Sequence, residues 1–188
     1  MNSHLSAILE VHRFLSARRI PYAIIGGIAV QYWGMPRFTR DIDVTVLVTL
    51  GGERAFLEDF LASFRPRIVD ALEFAVQHRI CLAMSSEGHE IDVSLGIPGY
   101  EEEVITRAVE CDFGGGTAFM ICTAEDLIIH KAMAGRPQDL ADIEGVVIRQ
   151  VSALNTTYIR QWLQKLSLLL EDEEVLQRFE RMLPQSTS

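Results

Sequence analysis

The segment from Asp41 to Val48 constrains the fold most, because polar and apolar residues alternate along it. Every second position is apolar, namely Ile42, Val44, Val46 and Val48. The intervening polar positions are Asp41, Asp43 and Thr45. This alternation is typical of a β-strand with one covered face. The segment therefore predicts a sheet and places two carboxylates on the same side of it, with Cβ atoms about 6–7 Å apart.

The rest of the chain predicts an α/β half followed by a helical half. Helical spacing over 3–19 ends at Pro21 and precedes a short strand over 22–25. A helical stretch over 52–64 follows, then hairpins over 79–95 and 107–122. Beyond residue 123 the pattern is helical, with Thr123 and Asp126 as a capping box and Pro137 at a first helical position. We predict an α+β fold with a core over 1–122 and an all-helical region over 123–188.

Composition limits the classes of function. The chain has 188 residues, is 48% hydrophobic and carries a formal charge of −9, which favours a packed core and argues against broad, nonspecific nucleic-acid binding. No apolar run reaches the roughly 20 residues of a membrane span. Three cysteines without CxxC spacing fit thiols in a reducing compartment. We therefore expect a cytoplasmic protein without a membrane partner.

Two further features suggest chemistry around the acidic strand. Asp92 projects from a second alternating strand over 90–95, so three acids on neighbouring strands would suit Mg²⁺. The alternative for Asp41 and Asp43 is a solvated sheet face. Gly26 and Gly27 follow the strand over 22–25 and precede a short helix, an arrangement in which backbone N–H groups can bind phosphate. The alternative there is an ordinary tight turn.

The quoted residues together resemble the nucleotidyltransferase superfamily with the polymerase-beta-like fold. The pattern is Gly-Gly, a thirteen-residue gap, Asp-x-Asp at Asp41 and Asp43, and a third acid at Asp92. The gap and the run RFTRDIDV are similar to AbiEii-type toxins and small antibiotic adenylyltransferases. The segment KAMAGRPQDLADIEGV is similar to a later motif of the AbiEii-type branch, with Lys131, Arg136, Asp139 and Asp142.

The resemblance implies transfer of a nucleoside monophosphate from an NTP, such as ATP, to a hydroxyl acceptor. It implies two Mg²⁺ ions held by Asp41, Asp43 and Asp92, and the implied catalytic residues are Asp41, Asp43, Asp92 and Lys131. The implied nucleotide-binding residues are Gly26, Gly27, Arg37, Thr39, Arg40 and Asp142. The acceptor is left open among tRNA or another RNA, a protein and a small molecule, and a toxin role would add an antitoxin partner.

Two observations keep alternatives open. Ile28 follows the second glycine, where the superfamily often has Ser or Thr for the terminal phosphate, and this favours a weakly catalytic or non-catalytic nucleotide-binding module that acts through a protein partner. In the later motif, Asp139 suits the first turn of a helix electrostatically. The stem of Lys131 could also extend from an apolar face to solvent.

Overall fold

The computed structural model describes residues 3–114, 116–150 and 152–183. Two compact units divide the chain: residues 1–28 with 38–122, and residues 29–37 with 123–188. The second unit thus includes nine residues that precede the acidic strand, which sequence analysis assigned to the core. The predicted domains, 1–122 and 123–188, stay a prediction.

The first unit contains a mixed sheet. Its strands are β1 (Tyr22–Ile24), β2 (Asp41–Val46), β3 (Arg65–Pro66), β4 (Ile80–Met84), β5 (Glu90–Leu95), β6 (Val109–Cys111) and β7 (Phe119–Ile121). Within the described residues the order is β3-β4-β5-β2-β1-β7-β6. The β2–β5 and β1–β7 pairs are parallel, whereas β1–β2, β3–β4, β4–β5 and β6–β7 are antiparallel. Both predicted hairpins are confirmed.

Helices accompany the sheet in the first unit, and helices make up the described secondary structure of the second unit. The first unit has α1 (Ser3–Ala17), α3 (Glu53–Ser63), α4 (Ala71–His78) and α5 (Tyr100–Thr106). The helix α2 (Gly26–Trp33) begins in the first unit and continues into the second. The second unit adds α6 (Ala124–Ala134), α7 (Pro137–Gln150), α8 (Thr156–Leu170) and α9 (Glu174–Glu180). None of the helices in the described part is both long and apolar enough to cross a bilayer.

The alternation of β2 is visible in its burial. Ile42 and Val44 are fully buried, whereas Asp41 and Asp43 are half-buried. Thr45, predicted to share the polar face, is 1% exposed. One face of β2 therefore belongs to the core, and the acids lie on the other face at the first half of the strand.

An aromatic cluster fixes α3 against α1, as the spacing of its phenylalanines suggests. The ring centroid of Phe60 lies 5.2 Å from that of Phe14 and 4.4 Å from that of Phe64. All three side chains are buried. Residues four apart lie on the same face of a helix, so the i, i+4, i+8 pattern from Phe56 produces one apolar stripe.

Between residues 65 and 78 the sequence predicts no element, but the structure has β3 and α4. β3 has only two residues, which is too short for any periodicity. α4 has eight residues, and residues in the left-handed backbone conformation, Asp70 and Arg79, flank it. Asp is a common N-cap residue, but the side chain of Asp70 makes no capping hydrogen bond, and Arg79 ends the helix in a conformation that usually favours glycine. These elements therefore depend on tertiary packing.

The ends of the second unit's first two helices follow the predicted local chemistry. The backbone N–H of Asp126 donates to Thr123 Oγ1 (3.2 Å), and Thr123 Oγ1 donates to Asp126 Oδ2 (2.7 Å). Gly135 ends α6 with φ +63°, and Pro137 begins α7. The pairing of Thr123 with Asp126 at the start of α6 and the proline position at the start of α7 are confirmed.

Candidate active site

The register between β2 and β5 brings the three predicted acids to one part of the sheet. Asp43 and Asp92 are direct partners in the parallel pair, and Asp41 lies opposite Glu90. Their neighbours Ile42 and Ile91 are fully buried on the opposite face. Because side chains alternate along a strand, the carboxylates of Asp41, Asp43 and Asp92 lie on the same face of adjacent strands.

Asp41 and Asp92 contact a neighbouring hydroxyl group and a guanidinium group, respectively. Thr39 Oγ1 donates a hydrogen bond to Asp41 Oδ1 at 2.8 Å. Arg67 Nη2 lies 2.8 Å from Asp92 Oδ1 in an ion pair. This Asp92 oxygen is buried, and no donor is aligned for a hydrogen bond with it. The Arg67–Asp92 contact therefore supplies charge without a well-directed bond.

The positive charge near Asp92 does not balance the effects of its burial and of its acidic neighbours. Burial raises the pKa of Asp92 above its ordinary value, and the nearby carboxylates of Asp41 and Glu90 raise it further. Arg67 offsets only part of this effect. A carboxylate in this situation is stabilised by an additional cation.

The backbone at Gly26 and Gly27 lies so close to polar side chains of β2 and of the segment before it that no side chain fits at either position. A Cβ on Gly26 would lie 1.9 Å from Asp43 Oδ2, and Gly26 has φ +62°. A Cβ on Gly27 would lie 2.2 Å from Thr39 Oγ1. The N-terminus of α2 therefore packs directly against the acidic strand, and only glycine allows this approach.

We expect Gly26→Ala to destabilise the protein more than Gly51→Ala. Both positions have positive φ, which costs an L-residue about 1–2 kcal/mol. Gly51 has nothing within 4 Å of an added Cβ, whereas at Gly26 the methyl group would displace Asp43. The extra cost at Gly26 should be about 1–3 kcal/mol, measured by urea unfolding of both variants. Equal losses at the two positions would show that Asp43 moves aside freely.

The other predicted residues of the first unit occupy different environments. Thr39 is buried, whereas Arg40 is exposed. Arg40 lines a cavity of about 230 Å³ together with His4, Phe38, Gly88, His89 and Glu90. Ile28 is 2% exposed and belongs to the core, so its position supplies no side-chain group for phosphate.

In the second unit, Lys131 lies between two aspartates of α7. Its Nζ is 2.8 Å from Asp139 Oδ1 and 2.9 Å from Asp142 Oδ2. Arg37 forms a bidentate ion pair with Asp142, in which Nε (2.8 Å) and Nη2 (2.9 Å) each donate a hydrogen bond. Arg136 Nε is 2.7 Å from Asp139 Oδ2. Lys131 is thus 7% exposed because its charge is paired on both sides.

Burial and pairing act in opposite directions on these aspartates. Burial by itself would raise the pKa of Asp142, but hydrogen bonds from Arg37 and Lys131 outweigh it and hold the pKa below its ordinary value. The pKa of Asp139 is likewise lowered, by Arg136 and Lys131, against the effect of burial. Both carboxylates are therefore ionised at neutral pH.

Among residues 3–114, 116–150 and 152–183, no three His, Cys, Asp or Glu side chains are grouped as a ready-made metal site. The donor types on the β2–β5 face still fit a hard divalent cation, since all three are carboxylates and Asp92 keeps a buried oxygen without an aligned donor. Metal binding by Asp41, Asp43 and Asp92 stays a prediction, as do the catalytic role of Lys131 and the nucleotide-binding roles of Gly26, Gly27, Arg37, Thr39, Arg40 and Asp142.

Sequence reasoning missed Arg67, which forms ion pairs with Asp92 and Glu90 in the structure. Arg67 directly follows the two-residue strand β3, and no motif or periodicity marks it. Only the pairing of β3 with β4, and of β4 with β5, brings it to the acids.

Comparison with known proteins connects this geometry to a class. No protein-family model matches the sequence, and no curated protein matches it. The solved structure of the antibiotic-resistance factor ANT(2'')-Ia, described as showing substrate-regulated conformation dynamics, has a TM-score of 0.61 at 19% identity. It covers 90% of this chain and 95% of its own.

Two further structures agree. An antigenic nucleotidyltransferase-like protein from Paracoccidioides brasiliensis has a TM-score of 0.53 at 17% identity, covering 94% of each chain. ANT(2")-Ia in complex with adenylyl-2"-tobramycin has a TM-score of 0.50 at 17% identity, covering 96% and 97%. The chain therefore has a nucleotidyltransferase fold, and the predicted α+β class with C-terminal helices is confirmed. A closer relationship to the AbiEii-type branch stays a prediction.

Proposed function

We propose that this protein transfers a nucleoside monophosphate from an NTP to a hydroxyl group of an acceptor. The observation that carries the proposal is the pairing of Asp43 with Asp92 on the same face as Asp41, next to Gly26 at the start of α2. Carboxylates on adjacent strands beside a glycine-initiated helix are the parts that a metal-dependent transfer to a hydroxyl requires. The fold of ANT(2'')-Ia supports the same reading.

Each residue has a defined task in this proposal. Asp41 and Asp43 would hold Mg²⁺, and bound Mg²⁺ would stabilise charge on the attacking and leaving oxygens. Asp92 would complete the donor set or accept the proton of the attacking hydroxyl. The first N–H groups of α2 lack partners within the helix and would face the phosphates.

The charge of the protein bears on the acceptor. A formal charge of −9 opposes binding of RNA and attracts cations. A structural relative contains adenylyl-2"-tobramycin, a nucleotidylated antibiotic. We therefore propose a cationic small molecule as the acceptor and ATP as the donor, ahead of RNA or protein. A toxin role with an antitoxin would instead accompany an RNA or protein acceptor.

The decisive experiment measures which phosphate of ATP is transferred and to which acceptor. The purified protein is incubated with Mg²⁺ and ATP labelled at the α- or γ-phosphate, together with tobramycin, total cellular RNA or no acceptor. We expect label from α-labelled ATP, and none from γ-labelled ATP, in the aminoglycoside. Label in RNA or in the protein would identify a different acceptor. Transfer of the γ-phosphate would contradict the proposal. So would the absence of transfer when GTP, CTP and UTP, labelled in the same way, have each been used in place of ATP.

A second candidate is a nucleotide-binding module with little or no catalysis. Two observations favour it. Ile28 is a core residue, and Arg67 forms an ion pair with Asp92, the third acid of the candidate metal site. In that case ATP would stabilise the protein against heat, but no α-phosphate would be transferred under any of the conditions above.

A further inference from the structure

Arg67 is anchored beside the acids by its backbone and by its side chain. Its backbone N–H donates to Leu82 O at 3.0 Å, which ties it to β4. Its Nη1 donates to Glu90 Oε2 at 2.6 Å, and its Nη2 lies 2.8 Å from Asp92 Oδ1. Glu90 and Asp92 are two residues apart on β5, so their side chains share a face. One guanidinium thus bridges two carboxylates.

The two contacts differ in kind. The bond to Glu90 is well directed, and the Glu90 side chain is 51% exposed. The Asp92 side chain is 22% exposed, and its buried oxygen has no aligned donor. Of the two carboxylates, Glu90 therefore has the better-directed bond to Arg67, whereas the contact with Asp92 is a close ion pair.

We propose that Arg67 is a resident counter-ion of Asp92 that competes with the incoming divalent cation, and that Glu90 holds Arg67 aside when the cation binds. This inference rests on the proposed function, because it assumes that Asp92 receives a metal ion. Arg67 is a positioning residue in this scheme. It lowers the affinity for the cation, and Glu90 raises the affinity by acting on Arg67.

The test measures Mn²⁺ binding by electron paramagnetic resonance, without nucleotide, so that activity is not the readout. Removing a like charge a few ångströms from the cation should tighten binding, and for Arg67→Gln we expect a Kd about tenfold lower. Arg67→Lys keeps the charge and should stay near the wild-type value. The exposed pair of Arg54 and Glu73 provides the controls Arg54→Gln and Glu73→Gln, which should leave the Kd unchanged.

A double-mutant cycle separates the role of Glu90 from its own charge. Glu90→Gln should raise the Kd more in the wild-type background than in the Arg67→Gln background, where only the loss of its own charge acts on the cation. An equal effect in both backgrounds, or a failure of Arg67→Gln to tighten binding, would overturn the inference while leaving the proposed function intact. Absence of Mn²⁺ binding in both the wild type and Arg67→Gln would overturn the metal site itself, and the inference with it.

Discussion

Asp43→Asn is expected to lose nucleotidyl transfer while the fold remains intact. Asparagine keeps the size of the side chain and one oxygen but removes the charge that a metal ion requires. Losing a ligand of this kind removes several kcal/mol of transition-state stabilisation, and about 3–4 kcal/mol corresponds to a rate lower by about 10²–10³-fold. Asp43 lies directly opposite Asp92 in the β2–β5 pair, so the substitution alters the donor set on this face of the sheet.

The stability of this variant should hold or rise slightly. Without metal the substitution removes a charge that lies on the same face as Asp41 and Asp92 and repels both. We expect a melting temperature equal to or slightly above that of the wild type without Mg²⁺. Adding Mg²⁺ and ATP should then stabilise the wild type more than the variant, because only the wild type keeps the complete donor set.

Glu110→Gln is the matched control, since Glu110 is an exposed acid on the edge strand β6. It should change neither transfer nor the response to Mg²⁺. Full transfer activity in Asp43→Asn would show that the acids form a solvated sheet face, the alternative that the sequence left open.

Lys131→Met is expected to lower the free energy of unfolding by about 3 kcal/mol, the lower end of the cost of breaking a buried ion pair. Asp139 and Asp142 have side chains only 2% exposed and would each lose a hydrogen-bonded cation. Asp142 keeps its two bonds from Arg37. Asp139 keeps only Arg136, whose side chain is 74% exposed, so Asp139 accounts for most of the loss.

The chain contains one other lysine, which makes the comparison direct. Lys165 is exposed on α8, with its Nζ 4.6 Å from the ring centroid of Trp162. Lys165→Met should cost no more than about 1 kcal/mol, the value of an exposed cation–π contact. Urea unfolding of both variants at pH 7 measures the difference, and equal losses would show that the pairs of Lys131 contribute no more than a surface contact.

A double variant separates structure from catalysis at Lys131. Adding Asp139→Asn to Lys131→Met removes the carboxylate that was left with only Arg136, so part of the lost stability should return. If Lys131 is catalytic, transfer activity should not return with it. Recovery of both would assign Lys131 a structural role only.

Local pattern determined the elements that carry the site. The alternation around Ile42 and Val44 identified β2 and the face on which Asp41 and Asp43 lie, because side-chain direction along a strand is set by position alone. The hairpin that contains Asp92 and the N-cap of α6 at Thr123 follow from equally local chemistry. These features could be read without any knowledge of distant contacts.

Tertiary structure decided which charges meet. The strand register set Asp92 beside Asp43, and β3 delivered Arg67 to Asp92 although nothing in its neighbourhood marks it. The contact between Arg37 and Asp142 joins residues 105 positions apart. Periodicity reports which face of an element is buried, whereas the partner of a charge depends on how separate elements pack. The sequence therefore determined the acids and the glycines of the candidate site. Which basic side chains pair with the acids was determined only by the folded chain.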